Sequence, residues 1–327
     1  MLLSAGGQAI LHATVAALFV EALLRLWRVE DPGERLAMRW VAIGTPVILT
    51  TLYLALMPWR AEAWFVEHWS LFAGAHWNHF RIGGAGLASA SSVALSALGL
   101  ALYLRDAVPF VADRLVRTGP EDGLPPDHLA CARVREALEA LPARGAHRPA
   151  TLTVVDLASP VLLCTGIDRT AIVISTGTLD RLDDGALQAA LAHELAHLAR
   201  RDPLAGWWLM AARTLQCFNP VVQIVARQVI QDLERRADIA VTTQGRAGPL
   251  AAAVHRLSLA AHVHSDLALP AEGGHLGDRV FESAHRRALD ARCQLLLEGV
   301  LPAPRPHRAW RLGLTAAALA VLLFFVV

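Results

Sequence analysis

The amino-acid sequence predicts a mainly α-helical membrane protein, in which four transmembrane helices accompany an α+β domain with a small sheet. Three observations carry that expectation. Of 327 residues, 54% are hydrophobic and 18% charged, where average domains hold about 45–50% and about 25%. Four long apolar runs punctuate the chain, three in its N-terminal third and one at its end. Between the third and fourth, a β-rich stretch leads into a helical segment with two histidines one turn apart. A formal net charge of +1 excludes a disordered chain, which needs low hydrophobicity and high charge. It also offers no basic excess to nucleic acid, so no direct nucleic-acid partner is expected. All 30 basic residues are arginine. The cysteines Cys131, Cys164, Cys217 and Cys293 are scattered without a CxxC, which argues against a disulfide framework or a cysteine zinc ribbon.

The runs Leu2–Leu26, Trp40–Trp59 and Ile82–Leu104 reach the ~20 residues needed to cross a hydrocarbon layer of ~30 Å. The first lacks a positive leader and is interrupted by Gln8 and His12, so it reads as a retained anchor and not a cleaved signal peptide. Glu21 and Arg25, four apart, are expected to pair on one helix face at the membrane edge. The fourth run, Leu312–Val327, covers only about 24 Å as a helix, which places Trp310 and Arg311 in the headgroup layer. The expected division is therefore a three-helix transmembrane region over 1–104, a cytoplasmic domain over 105–311 and a C-terminal transmembrane helix over 312–327.

Arginine placement sets the orientation, because short Arg-rich loops stay on the cytoplasmic side. Arg28, Arg35 and Arg39 follow the first run, Arg105, Arg114 and Arg117 the third, and Arg305, Arg308 and Arg311 precede the fourth. The second loop has only Arg60 and Arg81, at its ends. Both termini are thus expected outside a multi-pass inner membrane, with the large segment inside. The loop between the second and third runs is dense in aromatics. Its His76 and His79 read either as a metal or pH sensor or as part of an amphipathic segment in the interface.

After the turn cluster Gly119–Pro126, Asp127–Leu141 has helical spacing with Asp127 as N-cap. Thr151–Val155, Val161–Thr165 and Ala171–Thr176 read as strands, rich in Val, Ile, Leu and Thr and separated by Pro and Gly. An extended substrate is expected on the edge of that sheet, at Ala171–Thr176. Asp183 or Asp184 caps the next helix, which contains His193, Glu194 and His197 as HExxH. Residues four apart stand one above the other, so both imidazoles can meet one zinc ion, and Glu194 can take a proton from water beside it. Two surface histidines would give the same pattern, but the apolar flanks Leu191, Ala192, Leu195, Ala196 and Leu198 imply burial, which is costly without a partner.

A metal needs a third protein ligand. Asn219 and Pro220 open a helix over Val221–Val241 in which Glu234 and Asp238 share a face. Glu234 is the expected third ligand, and Asp238 an acceptor that orients a ligating histidine through its other ring nitrogen. The apolar helix Pro203–Phe218, with Trp207 and Trp208, is too short to span. It reads equally as a helix dipping into the inner leaflet or as a buried core helix.

Over Leu191–Val241 the chain resembles the gluzincin metallopeptidases, and more closely the integral-membrane family of the BlaR and MecR antibiotic sensors. LAHELAHLARRDPL, the FNPVV turn and LERRADIAV carry the resemblance. It implies one zinc ion per chain held by His193, His197 and Glu234, with Glu194 as general base, in a cytoplasmic α+β gluzincin domain. Those sensors also carry an external penicillin-binding domain after their last span, which this sequence does not show, so β-lactam sensing is not carried over. Gluzincins usually stabilise the oxyanion with Tyr or His, but Tyr53 and Tyr103 lie in the apolar runs. His285, Arg292 and His255 are the substitutes, unless they are solvated helix residues.

Three functions follow. The first is a membrane zinc endopeptidase in signalling, cutting a cytoplasmic transcriptional repressor or itself. The second is a quality-control or processing protease of the HtpX or CAAX type. The third is a zinc-binding scaffold without turnover. The FNP turn and the RRDP run favour the first.

Overall fold

The computed structural model describes residues 2–71, 80–82, 85–116, 123–142, 151–166, 170–267, 291–299 and 308–327. The loop with His76 and His79, and the segment with His285, lie outside them. The chain forms two compact units. One comprises Met1–Val116, Trp207–Leu233 and Arg305–Val327, the other Arg117–Gly206 and Glu234–Pro304.

The first unit is helical. Helices α1 (Leu2–Leu26), α2 (Pro32–Leu56) and α3 (Leu87–Val116) supply three candidate membrane spans, Gly6–Leu26, Pro32–Leu56 and Leu87–Val108. The helix Ala309–Phe324 is apolar but shorter. The third span starts later than the hydropathy predicts, because Arg81–Ile82 pairs antiparallel with Ala85–Gly86 before the helix begins. Ala13, Ala16, Val20 and Leu24 form one stripe of α1, packed with Met38, Ala42 and Ile43 of α2. The small alanines let the backbones approach. Glu21 does not rely on Arg25. It accepts two bonds from Arg39 of the next helix at 2.8 and 2.9 Å, a pairing between helices that spacing along one helix cannot reveal.

The end of the short apolar helix is bound by polar side chains from elsewhere in this unit. Arg60 donates to the carbonyls of Leu323, Phe324 and Val326 at 2.9–3.1 Å, and Tyr53 to that of Ala320 at 2.6 Å. His12, fully buried, lies 2.7 Å from Thr50 Oγ1 and 2.9 Å from the Val326 carbonyl. The orphan carbonyls of a helix terminus thereby find donors without water, as a lipid environment demands.

The second unit begins with α4 (Leu129–Glu139). Its N-cap is His128 and not Asp127, since the His128 ring accepts from the Ala130 amide. Strands β1 (Thr151–Val155), β2 (Leu162–Thr165) and β3 (Ala171–Ser175) follow the expected positions to within a residue. Their order is β1-β3-β2, with β3 parallel to β1 and antiparallel to β2. This corrects the expected substrate edge, because Ala171–Ser175 is the central strand and both its sides are paired. Its alternating Ile172 and Ile174 are fully buried, a pattern suited to the middle of a sheet. The outer side of β1 is met by the Gly123–Val155 bridge, which leaves β2 as the freer edge among the described residues.

Asp183 caps α5 (Asp184–Ala199) by accepting from the Ala186 amide at 2.8 Å. Leu187, Leu191 and Leu198 of α5 join Val134, Ile172, Ile174, Leu250 and Leu296 in the core of this unit. Arg133 of α4 reinforces the entry to α5, donating to the carbonyls of Leu179 and Leu182 and to Asp184. Between β3 and α5, Gly177 lets the chain pass against the 157–158 backbone. A Cβ there would lie 2.1 Å from the Ala158 carbonyl oxygen. Gly177→Ala is accordingly expected to cost about 1–3 kcal/mol by forcing the backbone apart, readable as a lower denaturation midpoint of the purified protein.

Candidate metal centre

Helix α5 presents His193 and His197 one turn apart, and both are buried, at 7% and 8% exposure. Glu234 comes from the next helix but one, α7 (Pro220–Thr242), with α6 (Asp202–Leu215) between them. The two Nε2 atoms are 3.1 Å apart. The Glu234 carboxylate stands 3.3 Å from His193 Nε2 through Oε2 and 3.6 Å from His197 Nε2 through Oε1. Among the described residues, these three form the group of His, Cys, Asp or Glu side chains able to hold a metal. Tetrahedral zinc with bonds of ~2.0–2.1 Å sets its ligand atoms about 3.3 Å apart. The three spacings straddle that value, and two imidazoles with one carboxylate are a zinc donor set, so the residues fit the ion.

The orientation of each ring has a visible cause. Asp202 Oδ2 lies 2.8 Å from His197 Nδ1, so that nitrogen carries the proton and donates it, leaving the Nε2 lone pair toward Glu234. Asp202 reaches back because Arg201 adopts φ 56°, a left-handed residue that closes α5 and turns the chain at once into α6. On the other side, His193 Nδ1 is 3.2 Å from Asp238 Oδ1, off the line of a well-aligned hydrogen bond. Arg292, in the helical segment 291–298, donates to both Asp238 oxygens at 2.9 and 2.7 Å, lies 3.0 Å from Glu234 Oε2, and stands 3.4 Å from His193 Nε2.

The charges are strongly coupled. Burial pulls the His193 imidazole down, but Asp238 and Glu234 outweigh it and hold its pKa up at about 9. Burial raises Glu234, yet His193, Arg292 and His197 bring it down to about 2, so it is an ionised donor at neutral pH. Asp238 is likewise held below the usual carboxylate range by His193 and Arg292 against its burial.

Each expected site residue can now be located. His193, His197 and Glu234 converge, Asp238 stands beside His193, and Arg292 bridges Glu234 and Asp238. Glu194 is half-buried on α5 beside Cys164 of β2, whose thiol is pushed up by burial and by that carboxylate. His255 is exposed on the helix Ala247–Leu267. Asp202 is the functional residue that sequence reasoning did not assign. Its signal was a carboxylate at the head of α6, five residues after the second histidine, within the RRDP run.

Residues 100–247 match the family model described as BlaR1 peptidase M56. No curated protein matches the chain. The matched stretch contains the HExxH helix and Glu234, and together with the metal group it supports a zinc metallopeptidase.

Two outcomes follow. Asp202→Ala leaves the His197 ring unanchored and is expected to weaken zinc binding about 10- to 100-fold, measured by chelator competition. A proton on His193 must leave before a metal takes its place. Zinc uptake at pH 7 is therefore expected to release a proton, with affinity rising about tenfold per pH unit toward 9 and levelling beyond, measured by calorimetry in buffers of different ionisation heat.

Proposed function

We propose that the chain is a membrane-bound, zinc-dependent endopeptidase that transmits a signal by cutting a cytoplasmic protein, a transcriptional repressor or its own chain. The observation that carries this reading is the convergence of His193, His197 and Glu234 at zinc spacing, with Glu194 one residue after the first histidine. His193, His197 and Glu234 would hold one zinc ion per chain, which when bound would supply Lewis-acid chemistry for water and a peptide carbonyl.

The protein's own groups do the rest. Glu194 takes the proton from water and returns it to the leaving amine. Asp202 and Asp238 hold the two imidazoles in register. The Arg292 guanidinium stands beside the donors, and it stabilises the oxyanion in place of the usual Tyr or His. A substrate peptide lies extended along the free edge of β2, where Cys164 neighbours Glu194.

The arginine asymmetry supports a catalytic unit, drawn from residues 105–311 without the Trp207–Leu233 segment, on the cytoplasmic face of the inner membrane, with both termini outside and the apolar helix Ala309–Phe324 as a fourth span. The RRDP and FNP segments favour a signalling protease over a processing one.

The test is zinc analysis with proteolysis of a labelled peptide library by the purified full-length protein. Stoichiometric zinc is expected, together with cleavage that Glu194→Gln abolishes while zinc is retained. Absence of zinc, or cleavage unchanged in Glu194→Gln, overturns the reading. Arg292→Ala is expected to lower kcat about a hundredfold with a smaller change in KM, by steady-state kinetics.

A further inference from the structure

The segment Trp207–Leu233 belongs to the same unit as the candidate spans, and it buries several polar side chains while turning apolar ones outward. Beside the apolar Leu209, Val222, Val225, Ala226 and Val229, it buries the polar Arg213, Gln216, Asn219 and Gln223, each 5% exposed or less. From Trp207 to Ile224 its exposed face is apolar. Trp207, Trp208, Ala211, Thr214 and Leu215 follow one another in helical register along α6, and Ile224 continues the surface on α7. The single hydroxyl in that stripe, Thr214, donates to the Met210 carbonyl of its own helix at 2.9 Å and meets Tyr103 of α3 at 3.0 Å. The Thr214 hydroxyl thus needs no water.

The tip of the hairpin is bound by all three spans. Asn219 caps α7 through the amides of Val221 and Val222, and its side-chain amide donates to the Ala9 carbonyl of α1 at 3.3 Å. Gln216 donates to the Ile43 carbonyl of α2 at 3.4 Å. In α3, a Cβ on Gly99 would lie 2.3 Å from the Phe218 carbonyl oxygen, so only glycine permits that approach. Ala9, Ile43 and Gly99 all fall inside the three apolar windows.

The base of the hairpin is ionic. Asp232, fully buried, pairs with Arg39 and stands 3.5 Å from Arg35, while Asp106 binds Arg213 at 2.7 Å and Arg227 at 3.2 Å. At 1.5 Å per residue the tip stands about 12 Å beyond Arg227 and about 20 Å beyond Asp232. That is roughly half the ~30 Å hydrocarbon layer. Neither α6 nor the apolar part of α7 is long enough to cross.

We propose that Trp207–Leu233 is a re-entrant hairpin that enters the bilayer from the arginine-rich side, ends near its middle, and is covered on its outer face by lipid acyl chains. Acyl chains are the fitting occupant because the stripe continues the exposed apolar surface of α3, where Leu95 and Leu98 stand 38% and 49% exposed, and carries no charge.

The test uses full-length protein in phosphatidylcholine vesicles. Nitroxide labels at Leu215→Cys and Ile224→Cys, in a background without the native cysteines, are read for collision with oxygen and with a water-soluble nickel chelate. Leu129→Cys, whose native side chain is 84% exposed, provides the aqueous reference. The expected result is an oxygen-to-nickel ratio several-fold higher at 215 and 224 than at 129. Nickel access equal to that at 129 overturns the proposal, and so does exclusion of both reagents, which would mean a protein partner or a second copy on this face. Wild-type protein treated with a membrane-partitioned carbene reagent provides the check that needs no substitution. Insertion into 207–224 is expected at the level of Leu87–Val108, and insertion confined to the spans overturns the proposal.

Discussion

The donor atoms of His193, His197 and Glu234 converge on one volume at 3.1–3.6 Å, and in the absence of a metal a proton is held on His193. Such crowding is favourable only around a positive charge. The surroundings are arranged to supply or tolerate one: Asp202 turns the His197 Nε2 inward, Asp238 stands 3.2 Å behind His193, and Arg292 brings a guanidinium to Asp238 and Glu234. Buried charge of this kind is costly unless paired, and here Glu234, Asp202 and Asp238 each have a basic neighbour at 2.7–3.6 Å. The scaffold behind α5 answers to that demand. Two histidines must be held near-immobile, and a helix packed by leucines onto a sheet and pinned at its start by Asp183 and Arg133 holds them so.

The helical unit solves a related problem in a different medium. With no water in a hydrocarbon layer, polar groups must satisfy one another. Glu21, Arg39 and Asp232 do so in one cluster, and Asp106, Arg213, Arg227 and Gln223 in another. The apolar residues are left to face outward, as Trp208, Leu215, Ile224 and Leu98 do. A high hydrophobic fraction therefore reflects spans together with the outer face of shorter helices that could not cross alone.

Much of this was legible in the chain. Strands were found to within a residue because Pro160 and Gly166 bracket short β-branched runs, and Asn219-Pro220 announced the start of α7 by capping chemistry. HExxH was readable because a helix repeats at nearly four residues, so the spacing itself states the geometry. What was not legible depended on the partner. Glu21 looked toward Arg25 and took Arg39, and the 171–175 strand looked like an edge and proved central. In both cases the local pattern is the same whichever neighbour arrives.

The sequence by itself determined the helices long and apolar enough to span, the HExxH helix, and the acidic pair Glu234 and Asp238, because each is a periodic or compositional property of a short segment. Only the tertiary structure decided that Glu234 meets the histidines at metal spacing, that Asp202 anchors His197 through a left-handed turn, and that Arg292 closes the group. It alone also showed which face of α6 is exposed. Those facts are distances between residues far apart in the chain, set by how helices and strands pack against one another, and no local periodicity encodes them.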